Sequence, residues 1–97
     1  MSFKILVIDD DTAFCVMLKT FLQKKGYDVT NAFNGQEAQE VLKNQNFDVV
    51  LTDIRLPDSD GLKILKLVKE TSLETQVILM TGYTDIKTAV NSIKRCF

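Results

Sequence analysis

The chain has 97 residues, enough for one domain and no more. Its 12 basic and 13 acidic residues nearly cancel, so it lacks the basic stripe that a binder of nucleic-acid phosphates needs. It contains no histidine, which removes every His-dependent triad and the commonest metal-ligand set.

Apolar residues make up 45% and charged residues 26%, the balance of a globular domain with a core. No apolar run approaches the roughly 20 residues of a membrane span. Met1-Ser2-Phe3-Lys4 leads straight into a short apolar stretch without signal-peptide architecture. The two cysteines, Cys15 and Cys96, are too few for a disulfide framework or a zinc knuckle. A cytoplasmic protein with reduced thiols, no membrane contact and no direct nucleic-acid contact is expected.

The first element is Ile5-Leu6-Val7-Ile8, a continuous β-branched run that suits a strand covered on both faces. It stops at Asp9-Asp10-Asp11-Thr12, where Asp11 or Thr12 is an N-cap. Phe14, Met17, Leu18, Phe21 and Leu22 then recur at helical spacing, with Cys15 among the packing residues. Lys24-Lys25-Gly26 closes this helix with cations in the last turn and glycine just past it. A second strand runs from Tyr27 to Ala32. Asn34 caps the next helix with Glu37 as its capping-box partner, and Ala38, Val41 and Leu42 form its buried stripe.

Asp48-Val49-Val50-Leu51-Thr52-Asp53 reads as a third, buried strand, followed by a loop from Ile54 to Asp60 that holds the only proline, Pro57. Ser59 or Asp60 starts a third helix with Leu62, Leu65 and Val68 inward. Lys63, Lys66 and Lys69 lie on one side of it and read as a solvated face. Gln76 to Thr81 is a fourth strand, and Gly82-Tyr83-Thr84-Asp85 turns into a fourth helix carrying Ile86, Ala89, Val90 and Ile93.

Four successive βα units demand a parallel sheet with right-handed crossovers, an open doubly wound α/β domain. Ligands of such sheets sit beyond the carboxyl ends of the strands. Three strand ends here are polar: Asp9-Asp10, Asp53, and Thr81 with Gly82. An acid between strand and helix is often only a cap, and Asp11 fits that role. A helix start needs one cap, however, and Asp9, Asp10 and Asp53 come from two separate strand ends. If those strands are neighbours, three carboxylates converge, repel one another and invite a hard cation. Magnesium with phosphoryl chemistry follows, with a carboxylate as a candidate nucleophile and the Thr81 hydroxyl as a donor to a phosphoryl oxygen.

Four stretches carry a family resemblance: Ile5 to Asp11, Asn34 to Ala38, Asp48 to Leu62, and Val77 to Tyr83. In order and spacing they resemble the receiver domain of bacterial two-component response regulators, over almost the whole chain. The wording Asp53-Ile54-Arg55-Leu56-Pro57 and Thr81-Gly82-Tyr83-Thr84-Asp85-Ile86 is most similar to receivers attached to sigma-54 activator or DNA-binding output modules. The resemblance implies a flavodoxin-like sheet of strand order 2-1-3-4. It implies that Asp53 is the phosphoacceptor for a sensor histidine kinase or a small phosphodonor. Asp10 would ligate Mg2+ directly, Asp9 through a water, and the Arg55 backbone carbonyl would be a further ligand. Thr81 would be the switch hydroxyl, and Pro57 and Gly61 would shape the loop after the phosphoacceptor.

The resemblance also implies a departure. The family carries a lysine after a fifth strand, and the sequence stops at Lys94-Arg95-Cys96-Phe97 before it. A receiver domain over residues 1–97 lacking its fifth βα unit and its output domain is therefore expected. An exposed edge at Val77-Ile78-Leu79 would then favour a homodimer or an element-exchanged oligomer. Two other functions compete with the signalling switch. One is a phosphorylation-independent interaction or dimerisation module. The other is a magnesium-dependent phosphohydrolase, which would want a second acid two positions after its nucleophile, where this chain has Arg55. A flavin or nucleotide role is disfavoured because no glycine-rich loop follows the first strand.

Overall fold

The structure, a computed structural model, describes residues 3–72 and 74–80. The expected fourth helix, Thr81, Gly82 and Cys96 lie outside the described residues. Within them the elements run β1 (Lys4–Ile8), α1 (Thr12–Lys24), β2 (Asp28–Ala32), α2 (Gly35–Asn44), β3 (Val49–Asp53), α3 (Gly61–Thr71) and β4 (Gln76–Met80).

The four strands form one parallel sheet in the order β2-β1-β3-β4. β1 therefore lies inside the sheet, and Leu6, Val7 and Ile8 are each fully buried. Alternation along β1 divides the core in two. Leu6 and Ile8 join Ala38 of α2 and Ile64 and Val68 of α3 on one face. Ile5 and Val7 join Cys15 of α1 and Val29 of β2 on the other. Burying an aliphatic side chain of this size stabilises by about 1.5–3 kcal/mol, so the continuous apolar run is the main anchor of the sheet.

Each helix start is satisfied by a side chain. Asp11 accepts from the Phe14 N–H at 3.0 Å, and Asp60 accepts from the Lys63 N–H at 2.8 Å. Asn34 accepts from the Glu37 N–H at 2.8 Å, and Glu37 returns a bond to the Phe33 N–H at 3.0 Å. The reciprocal bond thus reaches one residue further back than a standard capping box. α1 ends in a Schellman motif: the Tyr27 N–H donates to the Leu22 carbonyl and the Gly26 N–H to the Gln23 carbonyl. Gly26 adopts φ 94°, a left-handed conformation that costs glycine little.

Two helix faces differ from the expectation. On α3, Leu62 is 61% exposed, while Ile64 is buried together with Val68. The phase is set by Gly61, where a Cβ would stand 2.8 Å from the Asp53 carbonyl oxygen. That close approach turns the Gly61–Ile64–Val68 side inward and Leu62 out. On α1, the packing stripe is Cys15, Leu18 and Leu22, whereas Met17 and Phe21 are 61% and 56% exposed. Five apolar residues span a wider arc than one sheet face covers, and the narrower stripe wins. The lysine face of α3 is also mixed. Lys63 and Lys66 are exposed, but Lys69 donates from Nζ to the Thr75 carbonyl at 2.9 Å.

Ile64→Ala should destabilise the domain by about 2–5 kcal/mol, as large-to-small core changes do. Leu62→Ala should stay within about 0.5 kcal/mol of the parent, as exposed positions do. Urea unfolding followed by circular dichroism reads both; equal losses would show that the helix phase is wrong.

Candidate functional site

The strand order places β1 beside β3, and their register pairs Ile8 with Thr52. The next residue on each chain is an aspartate, so Asp9 and Asp53 leave the sheet side by side. This is also where the chain reverses its direction of travel across the sheet, the position at which open α/β sheets form their crevice. Carboxylate oxygens of Asp9, Asp10 and Asp53 lie within 4.8 Å of one another. The expected convergence of three acids from two strand ends is therefore present in the geometry.

Asp9 is partly buried and held from two sides. Its Oδ1 accepts the Asp11 N–H at 2.9 Å, and its backbone N–H donates to the Ala32 carbonyl at 3.1 Å. Asp53, also partly buried, receives the Arg55 N–H on Oδ1 at 3.4 Å. Thr52, fully buried beneath it, donates its hydroxyl to the Asp53 carbonyl at 3.0 Å. Asp10 is exposed, so its carboxylate meets the other two from the solvent side. Asp11 stands apart as the cap of α1.

Burial pushes the Asp9 carboxyl above its ordinary value of 3.8, and the negative charges of Asp53 and Asp10 push the same way. Burial likewise raises Asp53, with Asp10 adding to the rise and the Arg55 and Ile54 N–H groups opposing it. A cluster of this kind favours an added positive charge. The donors are all oxygen, and the cluster opens to solvent through Asp10, so the set suits a hard divalent cation that keeps some of its waters. A soft-metal site is not offered by the nearest sulfur. Cys15 is buried, donates its thiol to the Asp9 carbonyl at 3.3 Å, and is pushed up to about 11 by burial and the nearby acids.

The loop from Ile54 to Asp60 is tied down at several points. The Ile54 N–H donates to the Met80 carbonyl, and the Gly61 N–H donates to the Ile54 carbonyl at 2.7 Å. Arg55 and Asp60 form an antiparallel bridge, and Leu56 is buried in the core with α2 and α3. Gly61 permits the close crossing of Asp53 described above, and Pro57 is exposed at the turn. Thr81 lies outside the described residues. One participant escaped the sequence reading: Asp58 accepts the Gly35 N–H at 2.6 Å and the Gln36 N–H at 3.0 Å. An acid 22 and 23 residues from its partners carries no local signal; only the fold brings it to the start of α2.

The raised carboxyls make stability depend on pH. Asp9 and Asp53 hold protons to higher pH in the folded chain than in the unfolded one. Folding therefore binds protons above pH 3.8, and the two groups weaken the metal-free fold as pH rises through their raised values. Metal-free Asp53→Asn should melt above the parent at pH 7, with the gap closing as pH falls to the ordinary carboxylate range. Magnesium at a hundred times its dissociation constant should add about 2.7 kcal/mol to the parent and less to the variant. Thermal melts with and without magnesium at the two pH values test this, and a variant that melts below the parent at pH 7 would contradict it.

Comparison with known proteins agrees with this geometry. The profile described as response regulator receiver domain matches residues 5–95. The transcriptional regulatory protein ZraR of Escherichia coli (strain K12) is 40% identical over 90 residues, which is 93% of this chain and 20% of that protein. The chain thus spans about a fifth of that relative's length. A response regulator receiver domain protein (CheY-like) from Methanospirillum hungatei JF-1 superposes with a TM-score of 0.83 at 32% identity, covering 97% of this chain and 75% of that one. The response regulator protein TrrA from Thermotoga maritima, in complex with Mg(2+)-BeF, superposes with a TM-score of 0.78 at 31% identity, covering 95% of this chain and 81% of that one. With its doubly wound sheet and its acids gathered at the β1 and β3 ends, the chain belongs to the response regulator receiver domain family, the signalling domain of two-component systems.

Proposed function

We propose that Asp53 is the phosphoacceptor of this receiver, and that its state controls an output module of the transcription-regulator type. The observation that carries the reading is the position of Asp53 at the end of β3, with Asp9 and Asp10 oxygens within 4.8 Å. TrrA, a relative whose structure holds Mg(2+)-BeF, supports magnesium as the cation and a phosphoryl-like group as the second ligand.

In this reading a sensor kinase presents a phosphohistidine, or a small molecule presents a mixed anhydride. An Asp53 carboxylate oxygen attacks phosphorus, a P–O bond forms, and the bond from phosphorus to the imidazole nitrogen breaks. The departing imidazole keeps the electron pair; with the anhydride the bond to its bridging oxygen breaks instead and the carboxylate leaves with the electron pair. Nucleophilic attack needs Asp53 ionised, while burial and Asp10 favour its protonated form. Asp9, Asp10, Asp53 and the Arg55 carbonyl would hold magnesium, whose charge offsets that of the carboxylates and of the phosphoryl oxygens. Asp9 is held by the Asp11 N–H, and Asp10 stands at the solvent side of the cluster. The Thr81 hydroxyl, next in sequence after β4, serves as the switch donor to a phosphoryl oxygen. Gly61 lets the end of the following loop pass close to Asp53, and Pro57 would shape its turn.

A phosphohydrolase reading is weaker. Arg55, two positions after Asp53, supplies no general acid. The receiver would assist its own phosphorylation and dephosphorylation.

The test is direct. With magnesium and acetyl phosphate, intact-mass spectrometry should show one added phosphoryl group on the parent and none on Asp53→Ala or after chelation of the metal. An adduct that persists in Asp53→Ala would move the acceptor elsewhere, and sustained phosphate release from many esters would favour the hydrolase.

A further inference from the structure

The first turn of α2 is capped from two directions. Its own cap residue, Asn34, serves the Glu37 N–H. The two preceding N–H groups, on Gly35 and Gln36, are served by the Asp58 carboxylate, which belongs to the loop between β3 and α3. Helix starts leave N–H groups unpaired, and a carboxylate is the favoured acceptor there. Here the acceptor comes from a different element.

The contact is also sterically close. A Cβ on Gly35 would stand 2.5 Å from the Ser59 Cβ and 3.0 Å from Asp58 Oδ1. Only glycine lets the loop approach this near. The loop in turn transmits the contact inward. The Ser59 carbonyl accepts the Leu56 N–H at 3.2 Å, and Asp60 bridges to Arg55. A shift of Asp58 and Ser59 therefore moves Arg55 and Leu56 with them, two and three residues beyond Asp53. The two donors hold the Asp58 carboxyl below its ordinary range.

We infer that Asp58 is a positioning residue for the cation site: its carboxylate clamps the β3–α3 loop to the start of α2 and so holds the Arg55 backbone in place. This rests on the reading of Asp9, Asp10, Asp53 and the Arg55 carbonyl as the magnesium site. It makes α2 a mechanical support of the site, although α2 contributes no side chain to it.

The control is built into the same helix end. Asn34→Ala removes a cap from α2 but leaves the loop contact, whereas Asp58→Ala removes the loop contact but leaves Asn34. Both should lose comparable thermal stability. Amide hydrogen exchange without metal should show lost protection at Leu56 in Asp58→Ala and near-parental protection there in Asn34→Ala. Magnesium titration followed by NMR should show affinity about 10-fold weaker in Asp58→Ala, the lower end of what orienting groups contribute. Gly35→Ala, which pushes the loop away, should match it. Asp58→Asn, which keeps one acceptor oxygen, should recover part of the loss, and Asn34→Ala should bind like the parent. If the parent binds magnesium and Asp58→Ala binds it equally well, this inference fails alone. Equal weakening in Asn34→Ala also overturns it, since a general loss of α2 stability would then explain the effect. If the parent binds no magnesium, the functional reading and this inference fall together.

Discussion

Three carboxylates whose oxygens lie within 4.8 Å of one another repel, and the architecture around them exists at the cost of that repulsion. Like charges gathered in partly desolvated surroundings weaken a fold unless something opposes them. Here the opposition comes from the strongest part of the core. β1 carries Leu6, Val7 and Ile8, all fully buried, immediately before Asp9 and Asp10. Its neighbour β3 carries the fully buried Val50 and Thr52 immediately before Asp53. The acids are thus mounted on the two interior strands of the described sheet. The stability spent on the cluster is recoverable by a cation, which links occupancy of the site to stability of the whole domain.

The same logic explains the density of caps and turns at this end of the sheet. Asp11, Asn34 and Asp60 each satisfy a helix start from within, and Asp58 satisfies a second set from across the fold. Among the described residues, Gly35 and Gly61 mark two places where backbone passes so close to another segment that a side chain has no room. Loops on the carboxyl side of such a sheet carry the chemistry and must stay positioned without the support of strand pairing. The bonds from Ile54 to Met80, from Leu56 to Ser59 and from Gly61 to Ile54 supply that support. The loop after Asp53 is consequently a fixed structure rather than a tether between β3 and α3.

Much of this was readable in the residues. Continuous apolar runs marked β1, β3 and β4, and their alternation with helical patterns required a parallel sheet. Capping chemistry located the start of α2 at Asn34 and narrowed those of α1 and α3 to Asp11 or Thr12 and to Ser59 or Asp60, because those signals are local; the structure uses Asp11 and Asp60. The acids at two strand ends pointed to one pocket on the condition that the strands were neighbours. Periodicity was less informative about helix phase. Leu62 and Ile64 are equally apolar, and nothing within α3 says which faces the sheet.

Among the described residues, local chemistry alone therefore settled the element types, their order, the helix starts to within a residue and the identity of the acids, since each depends on residues a few positions apart. Tertiary structure decided the adjacency of β1 and β3, which turns separate strand ends into one site. It decided the inward face of α3 through the contact of Gly61 with the Asp53 backbone. It also decided the partner of Asp58, which is 23 residues away in sequence and one hydrogen bond away in space. Contacts of that kind arise from packing between elements, and no periodicity or spacing within one element can encode them.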